Sequence, residues 1–526
     1  MAPLSSPQRR LWFFDQMRPG DPAYNCAFAY RLHGPVDVAA LTRALGRVTA
    51  RHAALRTTFQ LRDGEPVQVV QPAVEIPVTV EPVAGADSEQ RLRAALTEAA
   101  DEALRPFDLT RGPLLRWRLL RLSAFDHILL VTIHHIVVDG WSMQVLYTEL
   151  ETCYDAELEA EEPELAELAV QYPDFAEWEA ACATGPRQQS QLRYWRQRLR
   201  GLTPLDLPTD RPRPAVANHL GAEHVFTIPD ELAARLRLRC AEVGATPFMG
   251  LLAVFKVLLA RYAGVRDVAV GAPWHGRSRG ELDELIGFFI NTLVLRTDLT
   301  GRPSFRELLS RVRDTCLSAY DHQDLPFDRI ADELRPAGQV GATSPVQVLM
   351  QTTQRLDVLP RLTGVTAQRL QVRSQTAKFD LLVDLHEHEG GYQGHVQFRA
   401  EIFSGERIAA MFGHFMRLLD GMLSDPDVDV FSLPLLTGPE RDRAIHDWNR
   451  TQEGFPDTTL HGLFEARAAQ QPDAPALLFG GAGTSFSELD QAAGGLARRL
   501  RSLGAGRGDV VGLAMDRSPA LVVGML

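Results

Sequence analysis

Hydrophobic and polar positions follow two spacings along this chain, one typical of helices and the other of strands. Residues 36–49 carry apolar side chains three or four positions apart, which predicts an amphipathic helix. Residues 60–133 are predicted to be rich in strands, with one helix at about residues 88–105. Residues 246–263 are apolar almost throughout, which predicts a buried helix. Residues 24–33 alternate apolar with polar side chains and residues 268–271 form a short apolar run, so both are predicted to be strands. The second half of the chain therefore repeats the order of strand and helix found in the first half.

A further strand pattern, from about residue 128, leads into a group of polar residues. The run ends at His134 and His135, and three apolar residues separate it from Asp139 and Gly140. Because side chains alternate along a strand, the two histidines are predicted to point in opposite directions. Only one of them can then face a given cleft.

The residues around this Asp-Gly turn have the chemistry that acyl transfer requires. A histidine can accept a proton or a hydrogen bond from an attacking group. Gly140 lets backbone amides come close to a substrate. A helix is predicted from Ser142 to about residue 157, and its first turn would add a partial positive charge. The alternative is that a histidine at the end of a buried strand serves only the core, and one short motif does not decide between the two.

Composition and charge narrow the classes of protein that fit. A length of 526 residues predicts two or more domains, and the Pro-rich stretch 202–214 predicts an extended crossover between two lobes. The net charge of −12 argues against a nucleic-acid partner. No apolar run has the length of a membrane span, and the start of the chain lacks the shape of a signal peptide. The five cysteines are scattered and never paired as Cys-x-x-Cys, so we predict reduced thiols, a cytoplasmic location and no metal site.

The stretch from His134 to Gly140 resembles the active-site motif of the condensation domains of nonribosomal peptide synthetases, which are relatives of chloramphenicol acetyltransferase. Other stretches resemble further signatures of that family in the family's order, at residues 4–14, 51–59, 171–178, 286–296 and 322–328. The last expected signature is weak, because only residues 344–346 remain of it. From residue 457 the chain resembles the start of an adenylation domain.

This resemblance implies an α/β fold of two chloramphenicol-acetyltransferase-like lobes, which form a V-shaped pseudo-dimer with a central tunnel. The implied N-terminal lobe spans residues 1–178 and the C-terminal lobe spans residues 179–432. Residues 433–456 are expected to be a condensation–adenylation linker. Residues 457–526 are expected to be the truncated N-terminal part of an adenylation domain.

The implied reaction is peptide-bond formation in nonribosomal peptide synthesis, a secondary metabolism that makes antibiotics and siderophores. A donor acyl or peptidyl thioester reacts with the amine of an acceptor aminoacyl thioester, and each is carried on the phosphopantetheine arm of a carrier protein. The implied partners are the upstream donor and downstream acceptor peptidyl carrier proteins and the adjoining adenylation domain, with no nucleic acid and no membrane. The domain itself is expected to bind no cofactor. The signatures most resemble the class that joins an L-donor to an L-acceptor.

Residue roles carried over from the family form three groups: catalytic residues (His135 and Gly140), structural support of the active site (His134, Asp139 and Arg56) and candidates for the lining of the substrate tunnel (Trp141, Ser142 and Asn291). Arg56 and Asp139 are expected to form a buried ion pair, because a buried carboxylate needs a hydrogen-bonded partner. A backbone amide near Gly140 is the candidate donor to a tetrahedral oxyanion. The role of His135 stays open between general base, proton acceptor from the intermediate and positioning hydrogen bond. Asn291 is polar within an apolar run, so it has either a backbone partner or a place near the tunnel.

A function of another class also fits the sequence, namely a catalytically inactive condensation-like module that binds carrier proteins or recruits a tailoring enzyme. Such modules usually break the second histidine or the Asp-Gly pair. Here His135, Asp139 and Gly140 are all present, which favours catalysis.

Overall fold

The computed structural model describes residues 1–72, 76–214, 220–334, 346–353, 359–372 and 376–526 of the chain, with the main chain alone at residues 332–334. The described chain divides into two compact units, Met1–Leu435 and Leu436–Leu526. Two residues of the weak last signature, Ser344 and Pro345, lie outside the described residues.

Helices of the first unit lie at α1 (Ser6–Met17), α2 (Val38–Arg51), α3 (Ser88–Leu104), α4 (Gly140–Glu159), α5 (Tyr172–Cys182), α6 (Pro186–Arg198), α7 (Asp230–Glu242), α8 (Pro247–Ala263), α9 (Phe305–Tyr320), α10 (Phe327–Leu334) and α11 (Gly405–Ser424). Those of the second unit are α12 (Gly438–Asp442), α13 (Leu460–Gln470), α14 (Phe486–Ser502) and α15 (Pro519–Met525).

Strands of the first unit lie at β1 (Ala2–Pro3), β2 (Asn25–His33), β3 (Thr57–Arg62), β4 (Glu65–Val70), β5 (Val78–Pro82), β6 (Leu115–Arg121), β7 (Asp126–His134), β8 (Gly221–Ile228), β9 (Asp267–Trp274), β10 (Asn291–Asp298), β11 (Val348–Thr353), β12 (Thr366–Leu370), β13 (Leu381–His388) and β14 (Gly391–Arg399). The second unit contains β15 (Pro475–Phe479) and β16 (Ala482–Ser485), which pair as an antiparallel hairpin.

The helices and strands predicted from the hydrophobic pattern are confirmed. The three predicted helices are α2, α3 and α8, and the two predicted strands are β2 and β9. Each of the three helices begins after a side chain that accepts a hydrogen bond from an N–H group of the first turn, namely Asp37, Asp87 or Thr246. Apolar periodicity and a capping residue therefore agree at each of these helix starts.

The first lobe is built on a five-stranded sheet in the order β12-β2-β7-β6-β5. β7 lies at the centre of this sheet, and both of its neighbours, β2 and β6, run antiparallel to it. Helices α2 and α4 contact each other, and their apolar side chains join those of the three central strands in one core. Both faces of β7 are buried, so the end of this strand, where the histidine motif begins, is held in place by packing.

The second lobe has a six-stranded sheet in the order β10-β9-β11-β13-β14-β8. Helix α8 lies in the core of this lobe, and every residue from Met249 to Ala260 is buried. That run includes Lys256, whose Nζ donates hydrogen bonds of 2.6 Å to the carbonyl oxygen of Leu295 and of 2.6 Å to Oγ1 of Thr297. Burial lowers the pKa of Lys256 to about 7.

The second lobe contributes a strand to the sheet of the first lobe. β12 comes from the second half of the chain, yet it pairs antiparallel with β2 of the first lobe, from Thr366 opposite His33 to Leu370 opposite Ala29. The edge of the first-lobe sheet is therefore completed by residues that lie more than 300 positions later in the sequence.

Among the described residues, no single helix is both long and apolar enough to cross a membrane. Helices α7 and α8 pass such a test only as a pair, and the chain bends by 101° between them.

Candidate active site

The histidine motif straddles the end of a strand. His134 is the last residue of β7, whereas His135 begins a short 3-10 turn, His135–Val137. The prediction that both histidines alternate along one strand is therefore wrong for His135, because the chain leaves the extended conformation at that residue. The turn leaves His135 partly accessible, while His134 is buried.

His134 has the contacts of a residue that supports the fold. Its Nδ1 accepts a hydrogen bond of 3.2 Å from the N–H group of Ile136. Its ring meets the Phe107 ring edge to face, with the centroids 6.1 Å apart. Burial, followed by the positive charge of Lys378, lowers the pKa of His134 to about 3. The imidazole is therefore neutral near pH 7, and it holds the start of the turn.

His135 is held in one tautomer. Its Nδ1 lies 2.7 Å from the carbonyl oxygen of Val138, and because a carbonyl only accepts, Nδ1 carries the proton. Nε2 is then the nitrogen with a lone pair. The ring also packs against the ring of Phe288, which comes from the second lobe, with the two ring centroids 4.8 Å apart. Burial, followed by the charge of Lys378, lowers the pKa of His135 to about 3, so the ring stays neutral near pH 7.

Asp139 organises the residues behind the histidines. It is the N-cap of α4, and its Oδ1 accepts hydrogen bonds of 2.8 Å from the amide and 2.7 Å from the hydroxyl of Ser142. Its Oδ2 accepts from the N–H group of Phe289 at 3.1 Å. Oδ1 also forms a buried ion pair of 3.2 Å with the guanidinium of Arg277 from the second lobe. A carboxylate with four partners is fully satisfied without solvent.

The expected ion pair between Arg56 and Asp139 is absent from the described residues. The Arg56 guanidinium instead donates to the carbonyl oxygens of Ala50 at 3.2 Å and Gln71 at 2.5 Å. It therefore joins the end of α2 to the end of β4 within the first lobe. The reason is competition, because Arg277 fills the position beside the carboxylate and brings its charge from the other lobe.

Four consecutive residues of the second lobe, the bridge segment (residues 286–289), are each bound by a side chain of the first lobe. Nδ1 of His52 accepts a hydrogen bond from the N–H group of Ile286 at 3.4 Å, and Oγ of Ser142 lies 3.0 Å from the nitrogen and 2.8 Å from the oxygen of Gly287. The hydroxyl of Tyr172 donates to the carbonyl oxygen of Phe288 at 2.5 Å. Oδ2 of Asp139 accepts from the N–H group of Phe289 at 3.1 Å. These contacts hold the Phe288 ring against the ring of His135.

The three residues predicted to line the tunnel have three different environments in the structure. Ser142 is completely buried and its hydroxyl is engaged by Asp139 and the bridge segment, so the prediction that Ser142 lines a tunnel is wrong. The Asn291 amide donates to the backbone carbonyls of residues 323 and 325 and accepts from the N–H group of Phe327, which is the backbone partner foreseen as one of its two explanations. Trp141 is 43% exposed, and its Nε1 donates to the carbonyl of Asp283 at 2.9 Å.

Gly140 is the first residue of α4. The N–H group of a residue at this position has no acceptor within its own helix. No other described residue accepts a hydrogen bond from it, so the Gly140 amide keeps its donor for another acceptor. Within the described ranges, no group of three or more His, Cys, Asp or Glu side chains is arranged to hold a metal ion.

Sequence reasoning missed several residues of this site. Arg277 lies in the polar stretch 275–284, where an arginine is ordinary, so no local signal in the sequence could have found it. His52 lies in a stretch already recognised as a signature, yet its partners, Glu149 at 2.7 Å and the bridge segment, come from elsewhere in the chain. For Lys378 the signal was its rarity, because it is one of only two lysines in the sequence.

Comparison with known families identifies two segments. The family described as Condensation domain matches residues 1–444, and the family described as AMP-binding enzyme matches residues 464–526. The first match covers the whole of the first unit, including every residue of the candidate active site.

Curated relatives are similar along the full length of this chain. It is 41% identical to one of the linear gramicidin synthase proteins of Brevibacillus parabrevis over 100% of this chain and 10% of that protein. It is 39% identical to phosphinothricin tripeptide synthetase PhsC of Streptomyces viridochromogenes over 99% of this chain and 48% of that protein. The chain thus spans less than half the length of these relatives.

Solved structures share the fold of the first unit. A complex of the X-domain and OxyB from teicoplanin biosynthesis matches with a TM-score of 0.75 and 30% identity, over 83% of this chain and 96% of that one. The SgcC5 protein of Streptomyces globisporus matches with a TM-score of 0.69 and 30% identity, over 81% of this chain and 100% of that one. A four-domain nonribosomal peptide synthetase, holo-AB3403, matches with a TM-score of 0.82 over 97% of this chain and 39% of that one, and at 20% identity this likeness concerns the fold alone.

The two-lobe, chloramphenicol-acetyltransferase-like α/β fold is therefore confirmed. The family match extends over residues 1–444, and the histidine motif, its capping aspartate and the bridge segment all lie within it. The chain belongs to the condensation-domain family, the amide-bond-forming acyltransferase domains of nonribosomal peptide synthetases, and the start of an AMP-binding domain follows it.

Proposed function

We propose that this chain joins a donor acyl or peptidyl thioester to the amine of an acceptor aminoacyl thioester, each carried on the phosphopantetheine arm of a carrier protein. The observation that carries the proposal is the geometry of His135. Its Nδ1–H group is bound to the Val138 carbonyl, so Nε2 offers a lone pair on a ring that stays partly accessible. The relative named as a tripeptide synthetase supports the substrate class.

Of the three roles open to His135, we infer that it accepts a hydrogen bond that positions the attacking amine. An α-amine has a pKa of about 8, so a useful fraction is already neutral near pH 7. A ring whose pKa is lowered to about 3 is a weak base and does not hold a full proton taken from such an amine. Its lone pair can still orient the N–H bond and so direct the amine lone pair at the donor carbonyl.

The reaction then proceeds through a tetrahedral intermediate. The acceptor nitrogen forms a bond to the donor carbonyl carbon, and the carbonyl oxygen becomes an oxyanion. The Gly140 amide, which has no acceptor among the described residues, is the proposed backbone donor to this oxyanion. Collapse of the intermediate breaks the C–S bond, and the proton lost by the amine passes to the departing thiolate.

The wider setting of the reaction is also part of the proposal. We place an upstream donor carrier and a downstream acceptor carrier beside the two lobes of residues 1–178 and 179–432, with a tunnel between the lobes and the linker 433–456 leading to the adenylation domain. The domain itself needs no bound cofactor, and the substrates belong to the class that joins an L-donor to an L-acceptor. The five free cysteines support a reducing, cytoplasmic setting.

The test is single-turnover amide formation between loaded donor and acceptor carriers. His135→Ala is expected to lower the rate by about 10²-fold or more, because it removes the hydrogen bond that orients the amine. The concentration of each carrier at half-maximal rate should stay unchanged. His388→Ala is the matched control, since that side chain is 47% exposed and lies in β13 of the second lobe. Wild-type rates in His135→Ala would remove the ring from the chemistry.

A non-catalytic role is the second candidate, and the likeness to a domain solved in complex with OxyB favours it. In that case the wild-type chain would form no amide with any pair of L-aminoacyl carriers, although it would still bind them. Amide formation that depends on His135 would exclude this second candidate.

A further inference from the structure

A single lysine of the second lobe lies at the candidate active site. Lys378 comes just before β13, and its Nζ lies 4.9 Å from the ring centroid of Tyr24. Tyr24 directly precedes β2, whose first residue, Asn25, stands opposite His134 in the ladder with β7. The Lys378 ammonium is therefore placed by the second lobe at the end of the sheet where the histidine motif begins.

The charge of Lys378 acts on His134, His135 and Cys26. It is second only to burial among the causes that lower the pKa of His134 and of His135. It also opposes the burial that raises the pKa of Cys26 on β2. The pKa of Lys378 is itself lowered, first by burial, with Cys26 opposing the shift and Arg10 adding to it.

This ammonium has no anion beside it. In the part of the chain that the structure describes, no carboxylate lies within ion-pair distance of Nζ of Lys378, which lies over the face of the Tyr24 ring. The other lysine is different, because Nζ of Lys256 is bound by a carbonyl and a hydroxyl in the core of the second lobe. Lys378 is half-buried, and a cation withdrawn in part from water without an anion is costly, so its position calls for a negative charge that arrives from outside the chain.

The proposed reaction creates such a charge. We propose that the ammonium of Lys378 stabilises the oxyanion of the tetrahedral intermediate, together with the Gly140 amide. This inference rests on the proposed function. As the acceptor nitrogen bonds to the carbonyl carbon, the carbonyl electrons move to oxygen, and the positive charge stabilises that state more than the neutral thioester. When the C–S bond breaks, the oxygen becomes a carbonyl again and the negative charge leaves with sulfur, which takes the proton lost by the amine. Lys378 loses and gains no proton in this sequence.

The experiment compares single-turnover amide formation by the full chain with L-aminoacyl donors and acceptors loaded on carrier proteins. Lys378→Met removes the charge and keeps most of the length of the side chain. It is expected to lower the rate by about 10²–10³-fold, the usual effect of losing one oxyanion donor, with unchanged half-saturating carrier concentrations. Lys378→Arg keeps the charge and should recover most of the rate. Lys256→Met is the matched control, and it should keep the wild-type rate.

The outcomes separate this inference from the proposed function. A wild-type chain that forms no amide removes the proposed function, and the role of Lys378 falls with it. A wild-type chain that is active, with Lys378→Met within about threefold of it, overturns the role of Lys378 alone. If Lys378→Met does not fold, NMR of the wild-type chain labelled with [ε-¹³C]lysine decides, because only two lysine signals exist and Lys256→Met assigns them. A neutral Lys378 amine at the assay pH would overturn the inference, and a charged one supports it.

Discussion

Removing the buried ion pair between Asp139 and Arg277 tests how the two lobes are held around the active site. The two side chains are each about 1% exposed, and their charged atoms lie 3.2 Å apart. Arg277 also donates to the hydroxyl of Ser142 at 2.8 Å and to the carbonyl of Leu282, and its guanidinium lies 4.1 Å from the ring centroid of Phe289. Truncation of either residue therefore leaves the other charge in a dry environment.

The magnitudes follow from these contacts. Asp139→Ala or Arg277→Ala strands one buried charge, which costs about 3–5 kcal/mol of the free energy of unfolding. Asp139→Ala also removes the N-cap of α4, which accounts for about 1 kcal/mol within that loss. The double variant strands no charge, so its loss should be smaller than the sum of the single losses by about 0.5–3 kcal/mol.

Arg56→Ala provides the matched control. Arg56 donates to two backbone carbonyls of the first lobe and has no contact with Asp139, so its loss should add to that of Asp139→Ala within about 0.5 kcal/mol. The assay is equilibrium unfolding in urea, followed by the fluorescence of the buried residues Trp117 and Trp195. Strict additivity for Asp139 with Arg277, or clear coupling of Asp139 with Arg56, would refute the assignment of the ion pair.

Three further outcomes are expected. Lys256→Met should remove a pH dependence of stability. The pKa of Lys256 is lowered to about 7 in the folded state, so the unfolded chain binds more protons than the folded chain between pH 7 and 10. In urea titrations the stability of the wild-type chain should therefore rise by about 3 kcal/mol from pH 7 to 9.5, and that of the variant should not. Tyr172→Phe should cost about 1–3 kcal/mol in the same titrations, because it leaves the carbonyl of Phe288 without its donor, and an unchanged urea midpoint would contradict this. Limited proteolysis should cut first within residues 451–459, which are exposed and irregular, and mass spectrometry of the fragments should show a core that keeps condensation activity.

Local properties of the sequence were sufficient for much of the fold. Helices α2, α3 and α8 follow from apolar spacing and a capping side chain, both of which are read within about 18 residues. The end of β7 was also located, but the turn at His135 was not, because three apolar residues continue the strand pattern while the backbone turns. Periodicity records which residues are apolar, and it does not record where the chain bends.

The partner of Asp139 could not be identified from local patterns in the sequence. The need for a buried cation was inferred correctly from the carboxylate, yet the choice among many arginines was wrong, since Arg277 comes 138 positions later and on the other lobe. Likewise, Ser142 was expected to line a tunnel because it follows the motif, whereas the bridge segment occupies its hydroxyl. Both errors concern packing between lobes, which depends on distances that no local pattern contains.

The pairing of β12 with the first-lobe sheet has a consequence for how the protein is made. During synthesis β2 leaves the ribosome with an unpaired edge, and about 330 further residues must be synthesised before Thr366–Leu370 can pair with it. An open edge invites pairing with other chains, so the nascent first lobe is exposed to misassembly during this interval. The same feature limits engineering, because a hybrid enzyme that joins the first lobe of one synthetase to the second lobe of another would combine a native β2 with a foreign β12. Recombination points outside both lobes preserve that ladder.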